Sequence, residues 1–221
     1  THPELRRAYS APLADYRQLV AYAQKHGLEV IPKLNFAKGT DLHNAWMSPY
    51  DELPDSPEYF ARALRLIDEL TGGLKIKFFH LGMDEDDRPT SQFVKVINDF
   101  HALLQERNLR TVIWADIGHS WAPDRHRKFV AAVRQLPQDT ILMPWTYDLR
   151  SQKKWLVSFK RRGLEVWGGV GPGLTNIEMW RDDILAVKGE GLIATTWLPL
   201  ATASARPQRQ IIRDAGQYFP S

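Results

Sequence analysis

Short apolar runs alternate with stretches of helical periodicity along this chain, and that alternation restricts it to the α/β architectures. Apolar residues at Tyr16, Leu19, Val20 and Ala23 predict a helix over 15–26, which Gly27 closes. A strand over 28–35 follows, in which Pro32 limits the hydrogen bonds that can be donated. Residues 36–54, carrying His43, Asn44, Trp46 and Tyr50, form a connection too long for a plain turn and read as a functional loop. Asp55-Ser56-Pro57-Glu58 is a helix start, with Phe60, Leu64, Ile67 and Leu70 as the expected buried stripe and Gly72-Gly73 as the stop. Strands are then predicted at 77–85, 109–116, 140–147, 164–170 and 191–198, with helices between them and a last helix at 207–219.

Six strands separated by helices allow a right-handed parallel crossover at every β-α-β step. An open doubly wound sheet and a closed barrel both fit. The first of these would be expected to show an early glycine fingerprint. The nearest candidate, Gly168-Gly169-Val170-Gly171-Pro172-Gly173, comes late, lacks the Gly-x-Gly-x-x-Gly spacing, and reads as a turn.

Composition removes several function classes. The formal charge is +3, with 29 Lys and Arg spread among 26 Asp and Glu, so nucleic acid is not an expected partner. Without cysteine there is no disulfide, thiolate metal site or thiol nucleophile, and the compartment stays open. No apolar stretch approaches the roughly 18 residues of a membrane span, and Thr1-His2-Pro3-Glu4 has no signal-peptide character. The 221 residues suffice for one domain with a large core. Oligomeric state is not legible.

The run Lys77-Phe78-Phe79-His80-Leu81-Gly82-Met83-Asp84-Glu85 reads as a buried strand that delivers two carboxylates to its mouth. Strand residues alternate between faces, so adjacent acids serve one pocket only if the chain leaves strand geometry, and Gly82 is the expected bend. His80-Leu81-Gly82-Met83-Asp84-Glu85 resembles the His-x-Gly-x-Asp-Glu signature of glycoside hydrolase family 20, the β-N-acetylhexosaminidases. That resemblance implies the end of the fourth strand of a (β/α)8 TIM barrel, and 28–35 and 191–198 then fall as its third and eighth strands. The chain is shorter than the about 250 residues typical of such a barrel, so the expectation is an N-terminally incomplete one over 1–221 with six of the eight strands.

Gly27-Leu28-Glu29-Val30-Ile31-Pro32 is similar to the family's Gly-Ile-x-Val-Ile-Pro, and Val112-Ile113-Trp114-Ala115-Asp116 resembles its fifth strand. Trp145 and Trp197 stand where its sixth and eighth strands place a Trp. The departures are specific. Lys33 and Asn35 replace the family's Glu-x-Asp, 165–169 lacks its Tyr-x-Asp, and Leu198-Pro199 stands where a sugar-binding Glu is usual; Tyr147 and Asp148 are candidate substitutes for the missing Tyr-x-Asp.

Most glycosidases straddle the scissile bond with two carboxylates, which neighbours in sequence can hardly do. In the substrate-assisted route the sugar's own 2-acetamido oxygen attacks C1, and two neighbouring acids suffice. The resemblance makes Glu85 the general acid and base and Asp84 the residue that polarises the acetamido group. Trp114, Trp145 and Trp197 would wall its methyl, with His80, Asp116 and Tyr147 as further substrate-binding residues. No cofactor is implied. The alternatives are a catalytically silent carbohydrate-binding barrel and a metal-dependent hydrolase built on Asp84, Asp116, His43 and His119, although their spacing matches no metal motif.

Overall fold

The computed structural model describes residues 10–39, 55–195 and 205–218. The chain divides into two compact units, Thr1–Val112 and Ile113–Ser221. The strands neighbour one another in chain order, β1-β2-β3-β4-β5.

In the first unit, α1 is Leu13–Lys25, α2 is Pro57–Thr71, β1 is Phe78–His80, α3 is Thr90–Gln105, and β2 is Arg110–Asp116, continuing into the second unit. The start of α2 is built as its sequence announces: Pro57 opens it and the Ser56 hydroxyl accepts the Tyr59 N–H at 3.1 Å. Its buried residues are Tyr59, Ala63 and Ile67; of the expected stripe Ile67 is buried, while Phe60, Leu64 and Leu70 are half-buried and Tyr59 and Ala63 extend the inward face as an i, i+4 ridge. Tyr59 is drawn in by aromatic partners. Phe36 and Phe100 lie 4.4 Å apart between ring centroids, with Tyr59 at 6.3 Å from Phe36 and Phe60 at 4.8 Å from Phe100.

β1 pairs parallel with β2 through Phe78↔Arg110, Phe79↔Thr111 and His80↔Val112. Residues 28–35 do not form the expected strand. They run beside β1 through one parallel bridge, Lys33↔His80, with His80 N–H donating to Pro32 O at 2.9 Å and Leu34 N–H to His80 O at 3.1 Å. Pro32 has no N–H to offer, and β1 itself ends at His80, so no longer ladder can build.

The second unit holds α4, Pro123–Ala132; a 3-10 turn, Val133–Gln135; β3, Ile141–Trp145; α5, Lys153–Lys160; β4, Glu165–Val170; α6, Leu174–Ala186; β5, Gly191–Ala194; and α7, Ala205–Tyr218. β3 pairs parallel with β4, and β4 with β5. Gly168 and Gly169 lie within β4, as the strand predicted over 164–170 has them and unlike the overlapping turn reading of 168–173, and large side chains close on them. A Cβ on Gly168 would stand 2.9 Å from Ile184 and 3.1 Å from Trp180 of α6, and one on Gly169 2.9 Å from Trp145. Five strands and seven helices among the described residues make a partial (β/α) barrel rather than a complete (β/α)8 one. No described helix is long and apolar enough to cross a membrane.

Candidate functional site

The two acids stand on a loop whose backbone has left strand geometry. Gly82, Met83 and Glu85 have φ of 74°, 72° and 54°. Two of these are not glycine, and a left-handed non-glycine residue costs on the order of 1 kcal/mol, so the surroundings must hold the conformation. They do so from the 33–39 segment. Phe36 N–H donates to Leu81 O at 2.9 Å, Asp87 N–H to Lys38 O at 2.6 Å, and Met83 N–H to the Asn35 side-chain oxygen at 3.1 Å.

Asp84 is buried, 5% exposed, and its Oδ1 accepts from Asn35 Nδ2 at 2.8 Å. Glu85 is half-buried beside it. Lys33 is exposed as a residue, yet enough protein surrounds its ammonium for desolvation to push its pKa down, while the Asp84 carboxylate acts the other way. His80, 4% exposed, is held well below its ordinary pKa by burial, to which the Lys33 charge adds. Its Nδ1 accepts the Gly82 N–H at 2.9 Å, so the neutral ring carries its hydrogen on Nε2 and supports the bend from beneath.

The next two charges form a buried clamp. Asp86 accepts from Lys38 N–H at 2.7 Å, from Arg88 N–H at 2.8 Å and from the Arg88 guanidinium. Arg88 also reaches Asp55 with two bonds of 2.9 Å, in the forked geometry a guanidinium prefers, and donates to Phe36 O at 3.1 Å. Reading the sequence missed Asn35, Asp55, Asp86 and Arg88. Asn35 and Asp86 each accept the backbone N–H two residues ahead, the Asx-turn bond, which is the one local signal that marks them.

The remaining candidates belong to the second unit. Trp114 and Asp116 on β2 and Trp145 on β3 are buried, and Trp145 Nε1 donates to Asp116 Oδ1 at 3.0 Å. Tyr147 is 41% exposed, its ring centroid 5.7 Å from that of Trp145, and its hydroxyl bonds Thr195 Oγ1 at 3.0 Å. His119 packs on Trp145 at 4.3 Å and on Trp121 at 5.0 Å, with Nε2 3.9 Å from Asp116 Oδ1. Asp148 accepts from Ser120 N–H at 3.0 Å, a bond that lowers its pKa. The aromatic rings and the Asp116 carboxylate thus gather where β2 and β3 end, as strand-end sites in such folds do. Among the described residues no three His, Asp or Glu side chains are grouped as a metal cage requires. His43, Asn44, Trp46, Tyr50, Trp197 and Leu198-Pro199 lie outside the described residues.

No protein-family model matches the chain, and no curated protein matches it. Among solved structures it is similar to the crystal structure of Dispersin B, with a TM-score of 0.56 and 15% identity over 94% of this chain and 75% of that one. A likeness at that identity is one of fold. It supports a fold of that kind and gives no family.

Proposed function

We propose that the chain is a glycoside hydrolase that removes terminal β-linked N-acetylhexosamine by a substrate-assisted, retaining route. The observation that carries this reading is the pair of neighbouring carboxylates, Asp84 buried and hydrogen-bonded, Glu85 half-buried, on a left-handed loop after a parallel strand. The fold likeness to Dispersin B adds support.

The acetamido oxygen attacks C1 as Glu85 gives its proton to the leaving glycosidic oxygen, producing an oxazolinium and a free alcohol. The Asp84 carboxylate accepts the acetamido N–H and balances the positive charge as it develops. Glu85, now ionised, takes a proton from water as the water attacks C1, and the configuration is retained. By the family resemblance, Trp114, Trp145 and Trp197 are assigned to the acetamido methyl, Tyr147 to the acetamido oxygen and Asp116 to further contact with the sugar, while His80, buried with its Nδ1 on the Gly82 N–H, holds the loop rather than the sugar.

The test compares an aryl N-acetyl-β-glucosaminide with the matching aryl β-glucoside, for the wild type and Glu85→Gln, on protein that melts cooperatively. Only the acetamido substrate should be cleaved, and Glu85→Gln should slow its cleavage by about 10² to 10⁴. Equal cleavage of both sugars would remove the substrate-assisted route. Sugar binding without turnover would mean a silent carbohydrate-binding protein.

A further inference from the structure

We infer that Asn35 is a positioning residue for Asp84, holding its carboxylate ionised and oriented through a hydrogen bond to Oδ1. The inference rests on the proposed function for the role of the Asp84 carboxylate, and on geometry alone for the Asn35–Asp84 unit. Asn35 Oδ1 accepts two backbone hydrogens, from Ala37 at 3.0 Å and Met83 at 3.1 Å. An amide turned the other way would set its NH2 against those two donors, so the orientation is determined and Nδ2 has to face Asp84 Oδ1, 2.8 Å away.

Gly82 completes the fit. A Cβ there would stand 2.3 Å from Asn35 Oδ1 and 2.7 Å from its Cα, at a φ of 74° that side chains rarely adopt. The bend that turns the acids out of the strand and the amide that holds Asp84 are one construction.

The chemistry follows from the donor's neutrality. A bond from Nδ2 favours the ionised carboxylate without cancelling the charge that an oxazolinium needs opposite it. Among the described residues, the titratable groups near Asp84 include Lys33, whose ammonium feels its charge, His80, which that ammonium reaches, and Glu85 next in the chain. Asp86 is engaged by Arg88 and the Lys38 N–H.

Asn35→Asp is the discriminating variant. It is isosteric, keeps an oxygen for the Ala37 and Met83 hydrogens, and sets a second carboxyl oxygen against Asp84 Oδ1. Two carboxylates sharing such a site hold a proton between them. The carboxyl carbon of Asp84 is followed by 13C NMR across pH in the wild type, Asn35→Asp and Asn35→Ala, with Asp84→Asn identifying the resonance. The Asp84 midpoint should rise by about one unit or more in Asn35→Asp and by less in Asn35→Ala. The acid limb of kcat/KM on the acetamido substrate should move by the same amount.

Superimposable titrations in all three proteins would overturn the inference, whatever the activity. A shifted titration in a protein that never cleaves the acetamido substrate would keep Asn35 as the residue that sets Asp84 and sink the proposed function instead. Where Asn35→Ala does not fold, Asn35→Asp alone decides.

Discussion

Arg88 is a charged residue whose side chain is 1% exposed, and Asp86, its partner, is equally buried. Ions so far from water persist only when their hydrogen-bonding positions are filled, and here Asp55, the Phe36 carbonyl and two backbone N–H groups complete the set. Removing one partner strands the other. Asp86→Ala is therefore expected to lower stability by about 3 kcal/mol, a fall of roughly 6 to 12 °C in Tm for a chain of this size. Adding Arg88→Met, which removes the stranded cation, should recover part of the loss. Urea unfolding of the single and double variants measures both effects, and additive losses would mean that the two residues do not act as a pair. The acids Asp84 and Glu85 were legible because a contiguous motif carries them. Their support was not, because Asn35 meets Asp84 across 49 residues and Arg88 meets Phe36 across 52, separations that no local pattern records.

At the scale of elements, a helix carries its own start signal. Ser56 accepts the Tyr59 N–H and Pro57 occupies the first turn, where the absent N–H costs nothing. Ser56→Ala should lower stability by about 1 kcal/mol and leave Asp84 and Glu85 chemically unchanged, which unfolding curves and the aryl-glycoside assay together would check. Strands lack such independence. Residues 28–35 have the apolar content of a strand, but whether a ladder forms depends on a neighbour, and β1 gives out after His80. The alternation of elements was therefore readable along the chain, whereas the shortened β1, the single bridge at Lys33 and the burial of Tyr59 and Ala63 on α2 came from tertiary partners. The turn reading of Gly168 and Gly169 fails for the same reason, although the strand predicted over 164–170 does form: the bulk of Trp180, Ile184 and Trp145 explains glycine inside that strand.

At the scale of the whole molecule, these partnerships make stability depend on pH. Unfolded, His80 titrates near about 6.5, while burial and the Lys33 charge hold its folded value well below that. Above about 6.5 both states are neutral at this residue and the burial carries no protonation cost. As pH falls below that value the unfolded chain binds a proton that the folded one refuses, so stability drops. One such group contributes a slope of up to about 1.4 kcal/mol per pH unit, and the slope ends once the folded value is passed. His126, also lowered by burial, acts in the same direction. The molecule as a whole also gains positive charge as pH falls, so the wild-type curve by itself does not isolate His80. His80→Asn does: its side-chain oxygen can still accept the Gly82 N–H, and it has no proton to gain. Urea unfolding of both proteins at pH 7.5, 6.5, 5.5 and 4.5 should find the variant less stable at pH 7.5, having lost the buried ring, with the gap narrowing as pH falls. A gap that stays constant across that range would mean that His80 does not drive the acid sensitivity.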